Sequence, residues 1–282
     1  MCVAMGVGGM LLILLLAACD VAEPEPERLV VEAFVETGEM LPTVTVRRTA
    51  ALDDPDAAPP VTEADVTLDV GGEVVQYRPV PGAAGTYASA NSRSAAVGEP
   101  FALTVTWQGQ RATASSRSPV SIALDSVRVT PSTSPVEAVF ADSLGLAVGE
   151  GVIYPVTVTL FWTAPEADTA WVRARLRPPA SFPSAIVDFV LDTDESRREA
   201  EFEGEGPVRR WSGTYAVPVE SLDDALPPHA LDVFVLRSGT DYARYALSRT
   251  DPSRREPVGN VRGGIGIVAG VAIDGRTLQV GE

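Results

Sequence analysis

The sequence predicts an all-β protein of two β-sandwich domains, and three observations support this class. Short segments rich in valine and threonine recur along the chain, and several alternate apolar and polar residues. Turn signals such as Gly71-Gly72 and Pro81-Gly82 separate these segments. Helical spacing is confined to two short patches, so we expect one or two short helices, both in the second domain.

The first domain is expected over residues 29–118. Its predicted strands span residues 29–35, 43–48, 64–70, 73–77, 101–107 and 110–115. Gly71-Gly72 joins two of them as a hairpin, because glycine accepts the backbone angles of a tight turn. Seven or so short strands in about 90 residues are typical of an immunoglobulin-like sandwich. The Cys-Trp-Cys pattern of antibody domains is absent, so the likeness is one of architecture.

The second domain is expected over residues 119–282. Its predicted strands span residues 121–130, 152–162, 170–177, 186–191, 198–203, 211–217, 231–236 and 277–280. The predicted helices span residues 220–226 and 240–249, and the second places Tyr242, Tyr245 and Ala246 on one face. Glycine-rich residues 261–270 lack the pattern of a phosphate-binding loop, so we expect a packed strand of this domain.

The N-terminus predicts a secreted, lipid-anchored protein. Residues 1–18 carry no charged side chain, and the apolar run from residue 7 to 18 fits the core of a signal peptide better than a membrane span. Leu16-Ala17-Ala18-Cys19 resembles the lipobox of bacterial lipoproteins. We therefore expect a signal peptide over residues 1–18, with diacylglycerol and palmitate attached at Cys19. The alternatives are an uncleaved anchor or a buried free cysteine, and the usual positive charge before the apolar run is missing.

An acidic tether follows, over residues 19–28. Alternating Pro and Glu disfavour both helix and central strand, so the segment is expected to be extended and up to ~28 Å long. An acidic run after a lipidated cysteine also resembles a surface-export signal of some Gram-negative bacteria. The expected location is the outer membrane, on its periplasmic or its cell-surface face.

Composition excludes several classes of function. The chain has 38 acidic and 22 basic residues, with a net charge of −16, and no segment supplies the basic face that nucleic-acid binding requires. All the basic residues are arginines, which excludes Schiff-base and P-loop lysines. The single histidine, His229, excludes a zinc site built on several histidines and is expected at the surface or in a loop.

Candidate sites are few. The acidic clusters at residues 53–56 and 192–195 lack the spacing of a calcium loop, so no metal or cofactor is expected. The sequence has no Gly-x-Ser-x-Gly motif beside its one histidine, and we assign no catalytic residue. Among the four tryptophans, Trp211 follows two arginines and is the candidate for a ligand contact.

Three segments together resemble a known family. They are Leu29-Val-Val-Glu-Ala-Phe-Val-Glu-Thr-Gly38, Thr240-Asp-Tyr-Ala-Arg-Tyr245 and Pro257-Val-Gly-Asn-Val-Arg-Gly-Gly-Ile-Gly-Ile267. With the lipobox, they resemble domain-of-unknown-function family 4249, whose genes typically lie beside those of TonB-dependent outer-membrane receptors. Ala33 and Val268 depart from the usual glycine and aromatic residue. The resemblance implies an envelope location and a β-rich fold, and it supplies no catalytic residues.

These observations favour a non-enzymatic lipoprotein of the outer membrane that binds a ligand or partner, as an accessory of a TonB-dependent receptor. The alternative is a structural or adhesive surface protein. A glycosidase or metal-dependent hydrolase is the third candidate, because some pair of the 38 acidic residues could face across a cleft.

Overall fold

The computed structural model describes residues 27–49, 58–141, 147–163, 171–177, 208–249, 251, 253–254 and 256–281. These residues form an all-β fold with fourteen strands and one helix. The earlier strands are β1 Leu29–Glu36, β2 Val44–Arg48, β3 Asp65–Val70, β4 Glu73–Pro79, β5 Thr86–Ser89, β6 Pro100–Trp107 and β7 Gln110–Arg117. The later elements are β8 Leu124–Pro131, β9 Val136–Ala141, β10 Ala147–Thr163, β11 Trp171–Arg177, β12 Val208–Val219, β13 His229–Ser238, α1 Thr240–Ser248 and β14 Gly264–Val280.

Eight strands in the order β14-β1-β2-β5-β4-β3-β6-β7 enclose the first core. The predicted alternation is present, since Val66, Leu68 and Val70 of β3 are all fully buried. Gly71 and Gly72 have positive φ angles and join β3 to β4 as a hairpin, as the sequence predicts. These eight strands belong to a ten-stranded sheet that continues from β14 to β13 and β11. The β7 strand lies next to the start of β14, because the backbone groups of Thr113 and Arg262 exchange hydrogen bonds of 2.9 and 2.7 Å.

The second core lies between two layers. One layer is a sheet in the order β12-β10-β8, with β9 paired to the first half of β10. The facing layer contains β13 and the second half of β14. The main side chains of this core are those of Val156, Val158, Leu160, Trp162, Tyr215, Val217, Leu231, Val233 and Val235.

The strands around the first core are called here the first sandwich, and the two layers around the second core are called the second sandwich. Strand β14 belongs to both. Its first half, from Gly264 to Val271, pairs in parallel with β1, and its second half pairs antiparallel with β13. Val268 is buried in the first core, whereas Ala272 and Val280 are buried in the second. The sequence assigned residues 261–270 to the second domain. The structure instead joins them to the first sandwich, because alternation in a sequence does not identify the sheet to which a strand belongs.

One predicted helix does not form. Residues 220–226 make a turn in which the Asp224 carboxylate accepts hydrogen bonds from the backbone N–H groups of Glu220 and Ser221, at 2.8 and 2.9 Å. The hydrogen bonds from Ser221 and Glu220 lower the pKa of Asp224. Local side-chain bonds of this kind compete with helix formation. The strands predicted at residues 186–191 and 198–203 lie outside the described part of the chain.

Helix α1 covers the outer face of β14. Tyr245 packs on Ile267 and Ala269, and Tyr242 contacts the edge of the Phe34 ring at a centroid distance of 5.5 Å. The Tyr245 hydroxyl donates a 3.0 Å hydrogen bond to Glu32 on β1. The tyrosine face predicted from the sequence therefore fixes α1 against β1 and β14 of the first sandwich.

Candidate functional site

An open groove runs between α1 and the outer face of β6 and β7. Because the core side of these strands is apolar, the residues between the core positions point outwards. They pair across the strands as Ala102 with Ser115 and Thr104 with Thr113. This wall of the groove is therefore flat, with small side chains and several hydroxyl groups.

The opposite wall comes from the first turns of α1 and the loop before β14. The groove consists of two adjoining depressions of about 600 and 620 Å³. Ala102, Ser115 and Asp241 line both depressions, so the two are continuous. Volumes of this size match small-ligand and short-peptide sites in proteins.

The charges in the groove are separated along its length. Arg244 and Arg262 line the depression nearer the loop before β14, here called the arginine end. Asp69 and Arg117 line only the other depression, and Asp241 lies between the two. Both arginines are exposed, and neither guanidinium has a hydrogen-bond or ion-pair partner among the described residues. The groove thus offers two available cations in a chain whose net charge is −16.

Asn260 fastens the loop at the base of the groove. Its amide nitrogen donates to Val268 O at 2.8 Å and to Ser115 O at 3.3 Å, and its side-chain oxygen accepts from Val268 N at 2.9 Å. One side chain therefore joins β14 to β7. This contact explains an asparagine in the motif, since aspartate lacks the N–H donors and alanine lacks both groups.

Glycine is required beside Asn260, where backbones approach closely. Gly266 has φ +114°, and a Cβ there would lie 2.1 Å from Val31 O. A Cβ on Gly259 would lie 1.8 Å from Gly266 O. The motif resembling the family's closing segment is thus a packing device that supports the groove.

Burial raises the pKa of three tyrosines. They are Tyr77, Tyr215 and Tyr245, and Glu32 adds to the effect at Tyr245, whose pKa rises to about 12. The Tyr77 hydroxyl is buried with no hydrogen-bond partner among the described residues. In each case the folded state holds its proton more tightly than the unfolded chain does.

This difference predicts alkaline destabilisation with a defined sign. Tyrosine ionisation should leave the free energy of unfolding unchanged up to pH 10, the ordinary tyrosine pKa. Above pH 10 the free energy of unfolding should fall, because the tyrosines of the unfolded chain lose their protons at lower pH than those of the folded protein. The chain has no lysine that would titrate in the same range. Urea unfolding at pH 8, 9, 10 and 11 measures the effect. A constant urea midpoint up to pH 11 would contradict it.

His229 is buried, contrary to the expected surface or loop position. Its exposed fraction is 8%, at the start of β13. Nδ1 donates to the Pro227 carbonyl at 2.7 Å, so in this tautomer Nε2 accepts from the Tyr215 hydroxyl at 2.5 Å. The two prolines before it suggested a loop, but the strand begins at the histidine itself. This arrangement satisfies both ring nitrogens and indicates a structural role.

Replacing Tyr215 tests that role. Tyr215→Phe keeps the ring and removes the hydroxyl that donates to His229, so the free energy of unfolding should fall by about 1–3 kcal/mol. Tyr154→Phe, a partly buried tyrosine at the edge of the same core, is the matched control and should change little. Chemical denaturation of the two variants provides the comparison. Equal effects would argue against a specific contribution of the hydrogen bond.

The residues proposed from the sequence have different positions. Trp211 lies on β12, opposite Leu160, and packs partly buried against the second core, away from the groove. Its assignment as a ligand contact stays a prediction. Cys19 and the lipobox residues Leu16, Ala17 and Ala18 lie outside the described residues, as do both acidic clusters. The groove residues were not predicted, because exposed threonine, serine and arginine give no signal in a sequence.

Two kinds of feature are absent from the described residues. No group of three or more His, Cys, Asp or Glu side chains there could hold a metal ion. No helix in the same ranges has the length and apolar character needed to cross a membrane.

The family described as domain of unknown function (DUF4249) matches residues 18–170, more than half of the chain. The chain belongs to the DUF4249 family. In this DUF4249 protein the matched range starts next to Cys19 and covers β1 to β10, whereas α1 and the Asn260 motif lie beyond it. No curated protein has significant similarity to the chain.

Proposed function

We propose that this DUF4249 protein is a non-enzymatic lipoprotein of the outer membrane that binds a partner, as an accessory of a TonB-dependent receptor. The observation that carries the proposal is the lipobox ending at Cys19, directly before the first folded domain of a DUF4249 chain. The family's usual gene neighbourhood supports the receptor as partner. The groove between α1 and β7 is the binding site in this proposal.

The start of the first sandwich supports an anchored arrangement. Glu27 pairs with Arg48 at 2.8 Å, and its carbonyl accepts a hydrogen bond from Gln110 at 3.3 Å. Arg28 forms an ion pair with Glu256. Residues 27 and 28, which the sequence placed in the tether, are thus bound to the sandwich. The rest of the predicted tether, residues 19–26, lies outside the described part of the chain.

Lipidation is tested by metabolic labelling with palmitate. We expect label on the wild type and on Cys2→Ala, and none on Cys19→Ala. Cys2 is the matched control because it is the other cysteine of the chain and lies in the predicted signal peptide. Label that persists on Cys19→Ala would overturn the anchor.

Partnership requires a separate experiment. Cross-linking in intact cells of the native host, followed by mass spectrometry, should recover peptides of an outer-membrane receptor linked to this chain. A chain that is lipidated but cross-links to no receptor would leave the structural or adhesive role as the better description.

A further inference from the structure

We infer that the groove binds an extended peptide segment whose carboxylates lie at the arginine end, between Arg244 and Arg262. The inference rests on the proposed binding function and specifies its ligand. The segment would belong to the partner protein, and its acidic residues would be concentrated at one end.

Two arginines give one end of the groove a positive charge. Arg244 and Arg262 come from different elements, α1 and the loop before β14, and the fold brings both to one depression. A guanidinium offers five N–H donors that match the geometry of a carboxylate. In a chain with 38 acidic residues, two arginines without partners among the described residues are available to an incoming anion.

The acidic side chains give the ligand a direction. Asp69 and Asp241 line the other depression, and its one arginine, Arg117, already donates a hydrogen bond to the Gly98 carbonyl. A second carboxylate there would therefore meet two like charges and a cation that is already engaged. A uniformly acidic ligand fits only part of the groove. A segment with carboxylates at one end and neutral residues at the other is complementary to its whole length.

The shape of the β6–β7 wall favours a ligand with an extended backbone. At the paired positions that line the arginine end, the outward side chains of β6 and β7 are small: Thr104 lies opposite Thr113, and Ser115 follows two residues further along β7. Hydroxyls both donate and accept hydrogen bonds, as peptide groups require. None of the described residues that line the arginine end is aromatic, so the lining suits polar contacts with a backbone.

Peptide binding to the purified mature chain tests the inference. The probe is a fluorescent octapeptide with two glutamates at one end and serine, threonine and alanine elsewhere, and its matched control carries glutamine at both acidic positions. We expect the glutamate peptide to bind, and the glutamine peptide to bind about tenfold more weakly, since one charge-assisted bond has an effect of this size. Affinity should also fall with added salt.

Variants of the chain locate the site. Arg244→Gln with Arg262→Gln should weaken binding by at least about tenfold. Arg78→Gln, which changes an exposed arginine on β4 outside the groove, should have no effect. Both variants should keep the melting temperature of the wild type, because the changed side chains are exposed.

Three results of the peptide-binding measurements would overturn the inference. They are no binding of the glutamate peptide, equal binding to the double variant, and an equal loss in Arg78→Gln, which would indicate a diffuse charge effect. Tighter, arginine-dependent binding of polygalacturonate would replace the peptide with an acidic polysaccharide. A receptor that still cross-links to the double variant as it does to the wild type would refute the groove as the site while leaving the proposed receptor partnership intact.

Discussion

Truncation after Pro257 is expected to unfold both sandwiches. The deletion removes the parallel partner of β1 and the buried Val268 from the first core, and it removes the antiparallel partner of β13 from the second. A first domain that ends at residue 118, as expected from the sequence, would survive this deletion. The shared strand leads to the opposite result, because each core loses a strand that contributes buried side chains. A typical domain has only about 5–15 kcal/mol of stability.

A shorter deletion is the control. Truncation after Val271 keeps the part of β14 that pairs with β1, so the first sandwich should remain folded while the second is lost. Tryptophan fluorescence distinguishes the unfolding of the first sandwich from that of the second, since Trp107 packs against the first core and Trp162 is buried in the second. Limited proteolysis of the same samples gives the surviving fragment. If the chain truncated after Pro257 still showed a cooperative unfolding transition in the fluorescence of both tryptophans, both sandwiches would be folded and the expectation would be wrong.

The strands of the first sandwich could be predicted because their signal is local. Alternation places Val66, Leu68 and Val70 on one side of β3, and glycine pairs mark its turn. Strand β5 was missed because Thr86–Ser89 is too short to show a period, although Tyr87 within it is fully buried. Helix α1 could be predicted because Tyr242 and Tyr245 repeat at helical spacing and both pack on their neighbours.

The sharing of β14 and the groove could not be predicted, because both depend on long-range pairing. The run from Ile267 to Ala272 is buried on both faces, one by the sandwich cores and the other by α1. The sequence therefore shows an apolar segment without indicating its neighbours. Ser115 and Asp241 line the same groove but are more than 100 residues apart in the chain. The patterns of this region that stood out in the sequence are the Thr240–Tyr245 segment and Asn260 with its glycines, and neither indicates that the two segments face β6 and β7.

Gly266→Ala is expected to be among the most destabilising single substitutions in the protein. At φ +114° an L-residue is strained, and the added Cβ would lie 2.1 Å from Val31 O and 3.0 Å from Val31 N. These are backbone atoms of the strand paired with Gly266, so they cannot move without separating β14 from β1. The same shift would disturb the hydrogen bond of 3.2 Å between Asn260 N and Gly266 O. We expect a loss of about 4 kcal/mol or more in the free energy of unfolding.

Gly38→Ala is the matched control for Gly266→Ala. Gly38 also has a positive φ, +85°, but no atom lies within 4 Å of the position that its Cβ would occupy. Its substitution adds only backbone strain, about 1–2 kcal/mol. The difference between the two variants in urea unfolding therefore isolates the close approach of β14 to β1. Equal urea midpoints would mean that the two strands separate at little cost, and the shared strand would then not couple the stability of the two sandwiches.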